Sequence, residues 1–349
     1  MDDDGDRHEK LYRILSIDGG GIRGLIAARI LVTLEAKLQA RTGNPDVRLA
    51  DYFDLIAGTS TGGILTCVYL YPEGDTGRPR YSAAAAQDLY VQHGREIFSI
   101  PMLHGIGSVG GLNYGKYPSD GLLKVLNLYF QDTLLSQLIK PCLITAYDIR
   151  RRRTMFFTQH DARVSDGCNF YLRDVCRATT AAPTYFEPPL VKSLSGVSYP
   201  LIDGGVFANN PSLCAYAEAR TLFKAKASQM AILSVGTGEV RRPYPYEEAR
   251  EYGAISWVKP LIDIMMSAMA ETADYEIRLA FDAVGTPDQY LRVNVDMDRL
   301  PPETTSEMDD VSPGNINGLL ELGAEAAERH DKDLDRFVDL LVQEAEARV

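Results

Sequence analysis

The chain has 349 residues, of which 45% are hydrophobic, so it can bury the core of one large domain or of two average ones. Its 48 acidic and 36 basic side chains give a formal net charge of −12. A charge of this sign repels a nucleic-acid backbone, and we therefore expect no nucleic-acid polymer among the partners.

The N-terminal residues and the cysteines indicate a cytoplasmic protein. Residues 1–10 are acidic and lack an apolar run, which predicts a disordered tail and not a signal peptide. No apolar run reaches the about 20 residues that a membrane-spanning helix needs. The five cysteines form no Cys-x-x-Cys pair, which favours buried thiols over disulfides or a zinc site.

The first predicted unit is a strand at residues 11–17, a glycine-rich loop at residues 18–24 and a helix of about 18 residues. The loop matches a dinucleotide-binding pattern, but the region about 20 residues onward is helical and does not end a strand with an acid. A P-loop would need Gly-Lys-Ser/Thr after the glycines, which this loop lacks. We favour an oxyanion hole, formed by the backbone N–H groups of Gly19, Gly20 and Gly21 at the start of the helix.

The second predicted unit carries a serine in a sharp turn. A strand at residues 51–57 leads into the turn at residues 58–62, with sequence GTSTG, and a helix follows at residues 63–70. Small residues on both sides let the backbone double back, and the helix N-terminus favours a developing anion. Ser60 is therefore a candidate nucleophile. Two such units in tandem predict a mostly parallel sheet with helices on both faces.

The next segment combines helices with a stretch rich in glycine. Helices are predicted at residues 82–98 and 120–130. Residues 101–115 contain five glycines and are interpreted as a long surface loop or as a mobile lid over the site.

A run of four arginines, residues 150–153, lies where two predicted strands at residues 143–148 and 153–158 meet. It is interpreted either as a solvated hairpin tip or as a contact with phosphate headgroups on a membrane surface.

A serine nucleophile needs a base, and histidine is the usual one. After a predicted helix at residues 172–180 and a strand at residues 199–205, only one histidine, His330, follows in the chain. It lies in a charged run at a helix junction, as a solvated surface histidine would. Asp203, followed by two glycines at the strand end, is the alternative base, because glycines allow a close approach to Ser60.

The C-terminal part is predicted to be mainly helical. Apolar residues between positions 257 and 283 fit the buried stripe of a long helix, with methionines filling the core. A strand at residues 290–295 precedes helices at residues 316–327 and 331–347. We expect one domain at residues 11–349, with a catalytic core at about 11–240 and a helical extension at about 250–349.

Three motifs together resemble a known family. Residues 18–24 (DGGGIRG), 58–62 (GTSTG) and 203–205 (DGG) occur in the order found in patatin-like phospholipases. Four further segments resemble plant patatins, namely residues 49–54, 181–186, 234–238 and 307–310. Gly205 departs from the family, which more often has alanine there, and we expect no consequence because both residues are small.

The resemblance implies a fold and roles for individual residues. It implies a three-layer α/β/α fold with a mostly parallel sheet and extra C-terminal helices. It implies that Ser60 is the nucleophile, Asp203 the general base, and the amides of Gly20, Gly21 and their neighbours the oxyanion hole.

Two more residues are substrate-binding candidates on the same ground. Arg23 matches an arginine that related phospholipases place near the substrate phosphate, with a structural ion pair at the loop as the alternative. Thr61 follows the serine directly. Asp18 is expected to fix the loop and not to take part in chemistry.

The expected activity is a phospholipase A-type hydrolysis of glycerophospholipid esters through an acyl-enzyme, with no metal and no organic cofactor. The expected partner is membrane or micellar phospholipid, in peripheral and transient contact with a cytoplasmic protein. Two alternatives stay open: an effector phospholipase activated by a cyclic nucleotide, and a storage or binding protein with little turnover. Assembly into a homo-oligomer is also left open.

Overall fold

A computed structural model of the protein describes residues 10–98 and 117–347. The expected acidic tail, up to residue 9, and the candidate lid at residues 101–115 lie outside these ranges. No described helix is both long and apolar enough to cross a bilayer.

The described strands form one mixed sheet in the order β5-β6-β3-β2-β1-β7-β8, and β4 pairs with β3 beside this path. The five neighbouring strands β3-β2-β1-β7-β8 are parallel, which confirms a mostly parallel central sheet. The pairs β3–β4, β3–β6 and β5–β6 are antiparallel. The strands are β1 Tyr12–Ile17, β2 Leu55–Gly58, β3 Cys142–Asp148, β4 Arg153–Thr158, β5 Leu190–Lys192, β6 Ser198–Asp203, β7 Met230–Val235 and β8 Tyr290–Val293.

Helices flank the sheet along the described chain. They are α1 Gly24–Thr42, α2 Leu49–Tyr52, α3 Thr61–Tyr69, α4 Ala83–Ile97, α5 Asp120–Phe130, α6 Gln159–Val164, α7 Leu172–Thr179, α8 Gly205–Ala208, α9 Ser212–Leu222, α10 Tyr246–Ala249, α11 Ala254–Ala283, α12 Pro313–Arg329 and α13 Asp331–Glu346. Short 3-10 turns occur at Gly21–Arg23, Leu135–Gln137, Ala227–Gln229 and Pro287–Gln289. Most predicted helices are confirmed to within three residues at each end, while α9 and the short helices α2, α6, α8 and α10 were not predicted.

Alternate residues of the strands enter two separate hydrophobic cores, as the two-residue period of a strand requires. In β1, Leu15 and Ile17 belong to the core that α1, α3 and α4 complete. Ile14 belongs to the other core, together with Ala219 of α9 and Phe281 of α11. The sheet therefore has helices on both faces, and the expected three-layer α/β/α arrangement is confirmed.

The predicted strand at residues 51–57 begins too early. Residues 49–52 form the helical turn α2, and β2 begins only at Leu55. The Asp51 side chain accepts a 2.8 Å hydrogen bond from the backbone N–H of Arg48, which caps this turn. A short polar side chain that bonds to nearby backbone favours a turn over a strand.

The long helix α11 is present, but most of the residues that were predicted to form its buried stripe are exposed. Leu261 and Met265 are 51% and 43% exposed, and Trp257 is 37% exposed, whereas Ile277 is fully buried. The side that faces the protein is instead marked by Ala273 and Ile277 in the C-terminal half. Periodicity identifies an apolar stripe but does not say whether the protein covers it.

The arginine run lies at the tip of the β3–β4 hairpin, as predicted. Residues 149–152 form the exposed turn, and Arg151 pairs with Asp148 at 2.7 Å. The cysteines are all free thiols, three of them buried, but Cys168 is exposed, against the expectation of buried thiols. A contact of the tip with phosphate headgroups stays a prediction.

Candidate active site

Ser60 lies in the turn between β2 and α3 and has a backbone φ of 55°. This value is unusual for a residue with a side chain and marks local strain, which clusters at functional sites. A Cβ on Gly58 would overlap the backbone of Gly62, and one on Gly62 would overlap the carbonyl oxygen of Ile17. The turn can therefore form only with glycine on both sides of the serine.

Buried hydroxyl groups hold this strained turn in place. The backbone N–H of Ser60 donates a 2.9 Å hydrogen bond to Thr179 Oγ1. Thr59 Oγ1 donates to the carbonyl oxygen of Ala208 at 2.6 Å and lies 2.8 Å from Thr145 Oγ1. The serine is thus fixed from both the α7 side and the α8 side.

Asp203 is the last residue of β6, which runs antiparallel to β2 and β3 and ends near the serine turn. β6 runs antiparallel to β3, and Asp203 pairs with Ala146 in that register. Gly58 at the end of β2 pairs with Ile144 of the same strand. Because these two positions of β3 are close together, the aspartate arrives beside the serine turn.

The Asp203 carboxyl group is buried, with only 5% of the residue exposed. Burial raises its pKa to about 7, while hydrogen bonds from the Ser60 side chain and the Gly205 backbone oppose the rise. The bond from the Gly205 N–H measures 2.7 Å. At neutral pH the group is poised between its charged and neutral forms, which suits proton transfer in both directions.

The glycine-rich loop after β1 presents its amides unequally. The Gly19 N–H donates to the carbonyl oxygen of Asn209 at 3.0 Å. In the described part of the chain, the amides of Gly20 and Gly21 donate to no acceptor, and both residues line the cavity of Ser60. Of the three predicted amides, that of Gly19 is therefore already engaged, whereas those of Gly20 and Gly21 have no acceptor in the described chain.

Partners outside the loop fix its shape. Thr237 Oγ1 donates to the Gly19 carbonyl oxygen at 2.5 Å, and the Ile22 N–H donates to the carbonyl oxygen of Met308 at 2.8 Å. Asp18 forms a bidentate ion pair with Arg292 of β8, at 2.6 and 2.8 Å, and both side chains are buried. Asp18 thus anchors the loop to the sheet edge, as expected of it.

Ser60, Asp203 and the two glycines share one cavity of about 130 Å³. Its remaining lining is mainly apolar and comes from α3, α4, α5, α8, α11 and the segments after α4, after α7 and before α12. These residues include Ile64, Ile97, Phe98, Leu122, Phe186, Val206, Ile262, Met265, Met266 and Met308. We call it the acyl cavity, because an apolar lining around a serine suits a hydrocarbon chain.

A second and larger cavity, of about 780 Å³, adjoins the first and is lined with charged side chains. Tyr185, Asn209, Met266 and Met308 line both, so the two spaces are neighbours. Arg23 lines this polar cavity and not the acyl cavity, and its Nη1 donates to the Ser306 carbonyl oxygen at 3.5 Å.

Thr61, the other substrate-binding candidate, lines the acyl cavity, but its hydroxyl is already engaged. Thr61 Oγ1 bonds to the hydroxyl of Tyr90 at 2.7 Å, and that hydroxyl donates back to the Thr61 carbonyl oxygen at 2.9 Å. The Thr61 side chain therefore joins α3 to α4.

No histidine of the described chain lines the acyl cavity, although His330 lines the adjoining polar cavity. His93 and His160 pair with glutamates, and His330, at the junction of α12 and α13, lies 3.3 Å from Asp333. Among the described residues that line the acyl cavity, Asp203 is the only carboxylate, and the other titratable groups are Tyr90 and Tyr185. Within residues 10–98 and 117–347, no group of three or more His, Cys, Asp or Glu side chains is arranged to hold a metal ion.

Several residues that build the site were not singled out from the sequence as site residues. Thr179 and Arg292 carried no local signal, because their partners are distant in the chain. Asn209 lines both cavities, accepts from Gly19 and has a buried Oδ1 that meets no donor in the described part of the chain. Its place directly after the Asp-Gly-Gly motif and α8 was the signal that could have identified it.

Comparisons with known proteins show the family to which the chain belongs. A family model described as "Patatin-like phospholipase" matches residues 15–215. Patatin-15, Patatin-06 and Patatin-B1 from Solanum tuberosum are each 34% identical to the chain and cover 95% of it and 90% of their own length. Among solved structures, VipD from Legionella pneumophila covers 91% of this chain with a TM-score of 0.35 and 12% identity, too low to bear on function. On the strength of the family model and the curated relatives, the chain belongs to the patatin-like phospholipase family.

Proposed function

We propose that the protein hydrolyses the acyl ester bonds of glycerophospholipids, a phospholipase A-type reaction, with Ser60 as nucleophile and Asp203 as general base. Family membership already makes it a lipid acyl hydrolase in general terms. The observation that carries the finer proposal is that Ser60 and the buried Asp203 line the same apolar cavity.

In the first half of the reaction Asp203 takes the proton of Ser60 Oγ while this oxygen attacks the ester carbonyl carbon. The amides of Gly20 and Gly21 bind the resulting oxyanion, and the N-terminus of α3 adds its partial positive charge. The tetrahedral intermediate then collapses, and the lysophospholipid leaves as an alcohol with the proton that Asp203 returns. The acyl group stays on Ser60 as an ester.

Water completes the cycle. Asp203 takes a proton from the water molecule as its oxygen attacks the acyl-enzyme carbonyl carbon, and the same amides bind the second oxyanion. The bond to Ser60 Oγ breaks, the serine regains a proton from Asp203, and the fatty acid is released. A base with a pKa of about 7 is suited to each of these transfers.

The two adjoining cavities support a phospholipid as substrate. An acyl chain in the apolar cavity would bring its ester to Ser60, and the rest of the lipid would extend past Tyr185 and Asn209 into the polar cavity. On this assignment Arg23 acts at the headgroup end of the substrate and has no part in ester cleavage.

The test compares wild type with Ser60→Ala and Asp203→Asn on a short nitrophenyl ester and on phospholipid, with products separated by lipid class. We expect both variants to lose at least about a thousandfold in kcat, because each removes a group that forms the acyl-enzyme. Asp166→Asn, an exposed aspartate, is the matched control, and His330→Ala should also keep nearly full activity. A large loss in His330→Ala, or full activity in Asp203→Asn, would refute the dyad.

A further inference from the structure

The N-terminal part of α11 carries a cluster of large apolar side chains that the protein leaves uncovered. Ile255 is 80% exposed, Val258 47%, Leu261 51% and Met265 43%. Trp257 and Ile264, at 37% and 40%, complete the set. We call these six residues the α11 patch.

The α11 patch is broader than the contact seam of a helix pair. At 100° per residue, its members extend over roughly half of the helix circumference, whereas a coiled-coil seam is confined to a narrow a/d stripe. Asp263 and Glu271 of the same helix line the polar cavity, which the patch member Ile264 also lines. A broad apolar face on a helix is typical of helices that lie in a lipid interface.

The size of the α11 patch also argues against a subunit interface. Its six side chains expose roughly 500 Å² of apolar surface, while a stable dimer buries about 800 Å² on each partner. A lipid surface has no such requirement, because each side chain that enters it gains transfer free energy on its own.

The α11 patch is continuous with the cavity that holds the serine. Met265 belongs to both, being 43% exposed and lining the acyl cavity, and its neighbours Ile262 and Met266 line that cavity as well. An acyl chain that moved from a bilayer toward Ser60 over this side of α11 would contact apolar side chains along its path. The aromatic residues fit the same picture, because Trp and Tyr favour the boundary between lipid and water. Tyr246, the first residue of α10, is 74% exposed.

We propose that the α11 patch docks on a zwitterionic phospholipid bilayer and opens the acyl cavity toward it. This inference rests on the proposed function, since it names the surface by which that site meets its substrate. Docking depends on apolar insertion and not on charge, which fits a protein with a net charge of −12.

The chain supplies its own probe, because Trp257 is its single tryptophan and belongs to the α11 patch. In the Ser60→Ala protein, which leaves the lipid intact, we expect phosphatidylcholine vesicles to shift the emission of Trp257 to shorter wavelength and to shield it from acrylamide. Emission and acrylamide quenching of Trp257 that stay unchanged at high lipid concentration would overturn the proposal. This test requires no substitution in the α11 patch.

A pair of matched variants tests the same surface by binding. Val258→Asp with Leu261→Asp removes two members of the α11 patch and should weaken vesicle flotation at least about tenfold. The control, Val164→Asp with Leu190→Asp, makes the same changes at side chains that are 83% and 62% exposed on α6 and the edge strand β5, and should bind like the parent. Circular dichroism melts establish that both double variants fold.

Activity separates this inference from the proposed function. With Ser60 restored, both double variants should cleave a soluble short-chain ester at wild-type rates, and only the patch variant should lose activity on vesicles. Equal vesicle binding by the patch variant and the control variant would overturn docking. Docking would also be overturned if wild type formed a dimer and the patch substitutions dissociated it. If wild type cleaves neither ester, the proposed function fails, while flotation and Trp257 emission still decide docking.

Discussion

The backbone N–H of Ser60 donates a 2.9 Å hydrogen bond to the hydroxyl of Thr179 at the C-terminus of α7. Thr179 is fully buried, so no water can replace it as an acceptor. The bond holds a residue whose φ of 55° is unfavourable for a side chain. The geometry of the nucleophile therefore depends on a residue far along the chain.

We predict that Thr179→Val lowers kcat about tenfold and changes KM little, because loss of one such bond is worth about 1 kcal/mol and misplaces the serine. Thr179→Ser keeps the hydroxyl and should keep most of the activity. Steady-state kinetics on a soluble ester measures both, and equal kcat values for the two variants would argue against a role in positioning Ser60.

The rate should follow the ionisation of Asp203. Because the proposed base must be deprotonated before attack, we expect kcat/KM to rise with pH and to reach half of its plateau near pH 7, the pKa that burial gives this carboxyl group. A pH–rate profile on a soluble ester, under conditions where the fold is intact, provides the measurement. A midpoint near pH 4 would show an ordinary, solvated aspartate.

The same ionisation should lower stability as pH rises. The folded-state pKa of Asp203 is raised from 3.8 to about 7, so between these values the folded protein holds a proton that the unfolded chain has lost. Stability from this group is therefore complete below about pH 4 and is lost as pH rises to about 7.

Asn cannot ionise, so Asp203→Asn removes the stability loss that ionisation causes. We therefore expect the variant to be more stable than wild type at pH 8 by a few kcal/mol, since each unit of pKa shift corresponds to about 1.4 kcal/mol. The difference should shrink as pH falls toward 4. Thermal or urea unfolding of both proteins at several pH values checks this, and a difference that does not vary with pH would contradict it.

Gly62 should tolerate no side chain. Its Cβ would overlap the Ile17 carbonyl oxygen, a backbone atom that cannot move aside, so we predict that Gly62→Ala costs more than about 3 kcal/mol of unfolding free energy. Gly253→Ala is the matched control, because a Cβ there meets no atom within 4 Å and φ is −83°. Urea unfolding should place the control within about 0.5 kcal/mol of wild type.

Local patterns predicted much of the fold and the centre of the site. The glycines around Ser60 and those after Asp203 mark sharp turns whose sterics act over a few residues, and such signals can be read from a sequence. The lack of a histidine after Asp203, apart from His330, pointed to an aspartate base, and the structure brings that aspartate to the serine.

What the sequence left out depends on contacts between distant segments. The ion pair of Asp18 with Arg292 needs the β1–β7–β8 order, and the engagement of the Gly19 amide needs the position of Asn209. Likewise, the exposure of Leu261 is set by what packs on α11, which its periodicity does not reveal. Activation by a cyclic nucleotide and assembly into a homo-oligomer stay predictions.

The antiparallel entry of β6 has a consequence for the order of events during synthesis. Ser60 and the glycine loop belong to the first two strand-turn-helix units, whereas Asp203 joins them only when β6 pairs with β3. A nascent or truncated chain that ends before residue 198 therefore carries the serine without its proposed base. On this assignment ester cleavage begins only after the strand docks, so an incomplete chain would lack the base that the proposed reaction requires.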